Sequence, residues 1–285
     1  MESAILEISN PDLIPAEITN DEDNIPLLDN NMNYTHFFQT YLLSNKPCLI
    51  KNMTDNWPCS SDWVKHKSLN VEYFRNRYTN IDVPVSNCGK REFNEFPYEN
   101  VYRVPCYFAS DWLNEYYDNN PDLKDDYRFV YIGPKNSWTP FHVDVFTSYS
   151  WSINITGKKR WILFPPGKEK FFMDQLGNLN YDIDLNKINI EKSKEFLFFD
   201  IIQEEGQGLF VPSGWHHQVW NLEDAISINH NWINGCNIHF IWNSLKKNLS
   251  DVKNEISDCK DMDNWSSQDI EKERKIFSGW NMAFW

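Results

Sequence analysis

Two short stretches of this chain carry residue types that bind a transition metal. Trp138-Thr-Pro-Phe-His142-Val-Asp144 offers an imidazole and a carboxylate at i and i+2, and Pro212-Ser-Gly-Trp-His216-His217 offers further imidazoles. On a β-strand, side chains two apart project from the same face, so His142 and Asp144 can reach one ion. Two histidines and one carboxylate are the facial set that non-haem Fe(II) takes. Such a set leaves three positions open for a chelating co-substrate and dioxygen. His216 and His217 are neighbours and face opposite ways on a strand, so at most one of them can ligate.

The tripeptide alone is weak. Composition produces a His-x-Asp in roughly one chain in three of this length, and a hydrogen-bonded strand histidine beside a turn aspartate explains an isolated match. The residues between the two halves reverse that balance. Trp151, Ile153 and Ile155 alternate with Ser152, Asn154 and Thr156, the mark of a half-polar strand. Gly157 permits a turn, and Arg160 to Phe164 reads as a second strand stopped by Pro165 and Pro166. Gly208-Leu-Phe-Val-Pro212 is another short strand, and Val219 to Trp232 a second hairpin about Asn221-Leu-Glu-Asp224. Short strands separated by turn signals predict a barrel or a double-sheet jelly roll.

On these residues the chain resembles a jumonji C (JmjC) oxygenase of the cupin superfamily, over about residues 45 to 240. The resemblance is carried by Lys46-Pro-Cys-Leu-Ile-Lys-Asn-Met-Thr-Asp-Asn-Trp57-Pro58, by His142-x-Asp144, by Gly157-Lys-Lys159-Arg-Trp-Ile-Leu-Phe-Pro-Pro166, and by Pro212-Ser-Gly-Trp-His-His217-Gln-Val-Trp-Asn221. Asp126-Tyr-Arg-Phe-Val-Tyr-Ile-Gly-Pro134 and Asn221 to Trp232 are most similar to the jumonji-domain-containing protein 4 group. The resemblance implies a mainly β fold with flanking helices, built on a double-stranded β-helix core of the cupin-like, jelly-roll kind. It also implies Fe(II), with 2-oxoglutarate and O2 as co-substrates. Members of the group are understood to hydroxylate a lysyl residue of the eukaryotic peptide-chain release factor, which makes a protein the expected partner. The readings that share this shell are a JmjC lysine demethylase and a binding module that has lost catalysis.

Residue by residue, the resemblance makes His142 and Asp144 the first two iron ligands and His217 the third, leaving His216 a polar supporting residue. Lys159 matches the lysine that binds the distal carboxylate of 2-oxoglutarate, and Thr139 a hydroxyl that assists it. Asn229 falls where another member places a co-substrate contact. Chemistry supports these roles: an ammonium paired with a carboxylate in a partly dry barrel gains a charge-assisted bond that orients the co-substrate. Lys158, Lys159 and Arg160 on their own would read as a solvated hairpin tip.

The chain has 285 residues, 41% hydrophobic and 16% aromatic, enough for a substantial core. Its formal charge of −14 argues against general nucleic-acid binding, which needs clustered Lys and Arg, and suits a basic protein surface. Much of that acid lies in Glu17 to Asp29 and Asp251 to Asp263, where solvated charge is the ordinary reading. No apolar run approaches a membrane span, and no basic-then-apolar leader opens the chain. A cytoplasmic protein with a possible nuclear pool is therefore expected. Cysteines 48, 59, 88, 106, 236 and 259 form no Cys-x-x-Cys pair, so neither a zinc site nor a disulfide framework is expected.

Four segments are expected. Residues 1–33 form a flexible acidic leader, 34–125 a mixed α/β buttress, 126–240 the catalytic core, and 241–285 a helical tail that is shorter than the family's. The buttress is read as a helix over Tyr34 to Leu43, a strand at Cys48 to Lys51, a helix over Ser61 to Tyr78 and another over Ser110 to Tyr117. Ile241, Leu245, Leu249, Val252 and Ile256 mark a packed stripe on the tail. The segment after Asn94 is shorter than in relatives, where it supplies an aromatic wall of the co-substrate pocket. Either the chain is a shortened form or an incomplete gene product, or nearby residues such as Tyr98 or Tyr102 substitute.

Overall fold

The computed structural model describes residues 25–78, 101–120, 122, 127–175, 177–183 and 198–255. The expectations for the first 24 residues, for Tyr98 and the short segment after Asn94, and for the chain beyond 255 lie outside them.

In chain order the strands are β1 (Leu27–Leu28), β2 (Cys48–Ile50), β3 (Val64–Lys65), β4 (Ser68–Leu69), β5 (Arg128–Gly133), β6 (Trp138–His142), β7 (Tyr149–Thr156), β8 (Lys159–Phe164), β9 (Phe199–Gln203), β10 (Gly208–Val211), β11 (His216–Asn221) and β12 (Ala225–Trp232). The α-helices are α1 (Tyr34–Phe37), α2 (Pro58–Asp62), α3 (Val71–Arg77), α4 (Trp112–Asp118) and α5 (Ile238–Glu255). One sheet has six strands in the order β1-β2-β10-β7-β12-β5, and a second has four in the order β6-β11-β8-β9. Apart from the parallel β1–β2 pair, the pairings within both sheets are antiparallel. The mainly β, jelly-roll architecture expected from the sequence is present.

Register explains where the core lies. Paired residues share a face, so Leu209 opposite Ser152 and Val211 opposite Ser150 point the same way, as do Asn229 opposite Ser152 and Ser227 opposite Asn154. That face looks across at the smaller sheet. On one side it is apolar, where Leu49, Leu209 and Val211 meet Trp161, Leu163, Phe199, Ile201 and Val219. On the other side Ser150, Ser152, Ser227 and Asn229 leave the same layer polar. The opposite face of the larger sheet carries Tyr149, Trp151, Ile153, Phe210, Ile228 and Trp232 into a second core with Phe37, Trp57 and Phe108. Trp151 lies stacked between Phe108 and His230, with ring centroids at 5.6 and 4.1 Å. All eight residues of β7 are therefore buried, its polar half against the other sheet and its apolar half against the helical buttress.

The buttress departs from the expectation in one place. Ser61 to Tyr78 is not one helix: α2 begins with Pro58 at its first position, a β3–β4 hairpin follows, and α3 starts only after Asn70, whose side chain accepts from Tyr73 N–H. His66 and Lys67 turn that hairpin with positive φ of 56° and 61°. The helix expected over Tyr34 to Leu43 is α1 continued by a π-helical turn over Phe38–Leu42. The one expected over Ser110 to Tyr117 begins at Trp112, because the Asp111 carboxylate accepts the N–H groups of Leu113 and Asn114 as N-cap. Residues 25–33, expected in the flexible leader, are ordered instead: Leu27 and Leu28 pair with Leu49 and Ile50, and Asn33 caps α1. Strand β11 starts at His216 rather than Val219. In α5, Ile241 is buried but Leu245 is 41% exposed, so the stripe read from the sequence is only partly inward.

Candidate metal centre and co-substrate pocket

His142 ends β6, and His217 lies opposite it on β11. Two residues on, Asp144 has left the strand but keeps an extended backbone (φ −60°, ψ 151°), which carries its side chain back to the same side. Ligand atoms of His142, Asp144 and His217 all lie within 4.8 Å of one another, and the two imidazole rings are 4.1 Å apart. Both rings have a fixed tautomer. Nδ1 of His142 lies 2.6 Å from the Pro140 carbonyl and Nδ1 of His217 lies 3.1 Å from the Trp215 carbonyl. A carbonyl oxygen only accepts, so each Nδ1 carries the hydrogen and each Nε2 keeps its lone pair, as a metal-binding imidazole requires. Burial, with the neighbouring His217 and His216, holds His142 well below the usual histidine range, which keeps it neutral. These three side chains fit one divalent first-row ion.

His216 goes elsewhere. Its ring faces Phe141 at 5.6 Å, and its Nδ1 lies 3.9 Å from the Glu169 carboxylate. Burial pushes it down to about 4 against the opposing pull of Glu169. Successive strand residues do point to opposite faces, and the sheet assigns the inner face to His217.

Lys159 shares that inner face, opposite Asn221 and Gln203 and four residues along β8 from Leu163, the partner of His217. Four strand residues are about 13 Å, a span that one lysine side chain and one short dicarboxylate cover together. Lys159 is buried, 5% exposed, and its ammonium donates to Ser227 Oγ at 2.6 Å. Ser227 Oγ in turn donates to Asn229 Oδ1 at 2.9 Å, and Ser152 Oγ donates to the same oxygen at 3.2 Å. Among the described residues no carboxylate pairs with Lys159, and burial lowers it to about 7. A buried cation without a counter-charge is costly, and a bound carboxylate removes the cost.

Thr139 and His142 are three apart, a spacing that puts strand residues on opposite faces. The β6–β11 pairing resolves this: His142 pairs with His217 and Thr139 with Val219, three residues against two, so β6 bulges by one residue between them. Thr139 Oγ1 is buried with no hydrogen-bond partner, an orphan acceptor and donor on the ligand side. Asn229 uses its carbonyl oxygen inside the serine chain, so its amide donor is the end left for a ligand. The sequence reading missed Ser150, whose Oγ donates to Asp144 Oδ2 at 2.6 Å, and Ser227 beneath Lys159. Inward alternation along β7 and β12 is the signal that could have found both.

Comparison with known proteins places this geometry. Residues 129–232 match the family model described as JmjC domain, hydroxylase, and residues 34–127 the one described as cupin-like domain. The chain is 42% identical over 290 residues to the 2-oxoglutarate and iron-dependent oxygenase JMJD4 of Danio rerio, covering 85% of this chain and 68% of that protein. It is 39% identical to the Homo sapiens protein of that name (81% of this chain, 67% of that one). It is also 36% identical to the arginine-specific demethylase JMJ20 of Arabidopsis thaliana, covering 81% of this chain and 62% of that protein. The chain thus spans about two thirds of the length of these relatives. With two imidazoles and a carboxylate converging on one point beside a buried lysine, and with identity of this extent, the chain belongs to the JmjC family of 2-oxoglutarate and iron-dependent oxygenases, alongside the JMJD4 proteins.

Proposed function

We propose that this protein is a protein hydroxylase that oxidises a lysyl side chain of a peptide-chain release factor in the cytoplasm or nucleus. The observation that carries the reading is the pairing of a three-ligand cluster with a buried, uncompensated lysine on one inner face. In this reading His142, Asp144 and His217 would hold Fe(II). Lys159, Thr139 and Asn229 would hold the distal carboxylate of 2-oxoglutarate. The bound pair supplies oxidation of an unactivated C–H bond, one oxygen atom of O2 entering the product and the other leaving in succinate as CO2 is released. The protein's part is to orient and to exclude water: the two backbone carbonyls fix the imidazoles, and the inter-sheet core of Trp161, Leu163 and Val211 keeps the neighbouring space dry. Net charge −14 suits a basic segment of the partner. No helix among the described residues is long and apolar enough to cross a membrane.

The test is turnover of 2-oxoglutarate with candidate release-factor peptides, followed by mass spectrometry, wild type against Asp144→Ala. A gain of one oxygen retained on lysine, absent in the variant, is the expected result. No peptide-dependent succinate overturns it. A second reading is favoured by the similarity to a plant protein named an arginine-specific demethylase. It shares the same centre, and loss of a methyl as formaldehyde from a methylated peptide would select it.

A further inference from the structure

We propose that Ser150 is a positioning residue that confines Asp144 to one-oxygen coordination and so sets how tightly the centre holds its metal; this rests on the reading of His142, Asp144 and His217 as ligands. Ser150 is 7% exposed, at the start of β7, and its hydroxyl donates to Asp144 Oδ2 at 2.6 Å. A carboxylate only accepts, so the hydroxyl's single proton is committed to Oδ2. No described residue donates to Oδ1, which is the oxygen left for a cation. Without the serine, both oxygens are free, and a carboxylate with two free oxygens can chelate, taking one of the positions that an oxygenase must leave open.

The intervening loop shows why Asp144 needs the constraint. Phe146 and Thr147 both adopt left-handed backbone, φ 55° and 56°, a conformation uncommon in residues other than glycine. Thr147 N–H returns to the Asp144 carbonyl at 2.9 Å and Ser148 N–H to the Val145 carbonyl at 3.0 Å. These bonds hold the backbone of the turn. The Ser150 bond is the contact that fixes the side chain, tying the ligand carboxylate to a strand buried on both faces. Ser150 has no such role in the sequence motif, since it lies six residues from its partner.

The experiment titrates metal-free protein with Co(II) alone against a competing chelator, for wild type and for Ser150→Ala, Ser150→Cys, Ser150→Thr and His142→Ala. Visible spectra of the Co(II) forms are recorded. Without the bond the carboxylate is free to turn away from the ion, an ordering cost that outweighs any gain from a second oxygen, so Co(II) binding is expected to weaken roughly 10–100-fold in Ser150→Ala and in the similarly sized, poor donor Ser150→Cys. Both should show an altered Co(II) spectrum, while Ser150→Thr, which keeps the hydroxyl, restores wild-type affinity and spectrum. Far-ultraviolet circular dichroism identifies the folded variants; if the alanine form does not fold, the cysteine and threonine forms carry the comparison. Wild-type affinity and spectrum in folded Ser150→Ala or Ser150→Cys overturn the proposal, provided that His142→Ala abolishes binding. Retained binding in His142→Ala overturns instead the ligand assignment on which it rests.

Discussion

Lys159 Nζ and Ser227 Oγ, 68 residues apart in the chain, meet at 2.6 Å on the inner faces of opposite sheets. Ser227 gives its own proton to Asn229, so its oxygen is a pure acceptor toward the ammonium and holds it in one direction. The cation is thereby aimed before any anion arrives, a preorganisation that lowers the ordering cost of binding.

If Lys159 receives the distal carboxylate as proposed, co-substrate binding is expected to depend on pH. Burial lowers Lys159 to about 7 in the ligand-free protein, and a carboxylate beside it raises it again, so binding above neutral pH takes up a proton. Affinity for 2-oxoglutarate is expected to fall by up to about tenfold per pH unit above 7. Calorimetry in buffers of different ionisation enthalpy reads the proton directly. Equal affinity at pH 7 and pH 9 would show that the ammonium is not involved.

The same shift sets a stability profile in the ligand-free state. The lysine's folded value is depressed relative to its ordinary 10.5, so between about 7 and 10.5 the unfolded chain binds the extra proton and stability rises with pH. The gain is complete above the unfolded value and is lost as pH falls through the folded one. Replacing the lysine by methionine removes the buried amine, so the thermal midpoint of Lys159→Met is expected to exceed the wild type's at pH 7 and to depend less on pH.

Thr139→Val separates binding from stability. The hydroxyl is buried without a partner, so its removal should leave the metal-free protein within about 1 kcal/mol of wild type. If the hydroxyl assists the distal carboxylate, the dissociation constant for 2-oxoglutarate rises about three- to tenfold. A large fall in the midpoint of metal-free protein would mean that the hydroxyl has a structural role instead.

The two adjacent histidines should behave differently. His217→Ala is expected to abolish measurable Fe(II) binding, whereas His216→Ala, which removes a ring facing Phe141 and Glu169, should keep it within about tenfold. Anaerobic addition of Fe(II) and 2-oxoglutarate gives the readout, a weak visible charge-transfer band. Loss of the band in His216→Ala with retention in His217→Ala would reverse the assignment.

Gly157 turns the β7–β8 hairpin at φ +79°, and an added Cβ would meet Ala225 Cα at 2.9 Å. Gly157→Ala combines a strained backbone with a contact that is main chain rather than a flexible tip. A cost of about 1–3 kcal/mol is expected, seen in calorimetry as about 2–4 °C of midpoint for each kcal/mol.

The sequence was most legible where one residue type has one reading. Gly157 and the Pro165-Pro166 stop bound a hairpin whose strands are where they were expected, and the alternation of Trp151, Ile153 and Ile155 gave the correct face. It was least legible where the deciding partner is remote or the backbone is unusual. Ser61 to Tyr78 reads as helical because its serines mimic caps, while the hairpin inside it turns on left-handed His66 and Lys67 rather than on the Asn-Gly or Asp-Gly pair that signals such a turn. Thr139 could be placed beside His142 by resemblance, but the bulge that puts both on one side is invisible in composition. Ser150 and Ser227 read as ordinary polar strand positions, because what distinguishes them is a neighbour brought in by folding.

Strand β7 leaves no residue idle, since alternate positions line the reactive compartment and fill the aromatic interior behind it. A mutation that enlarges the compartment there also shifts the packing of Trp151 or Tyr149 through the shared backbone.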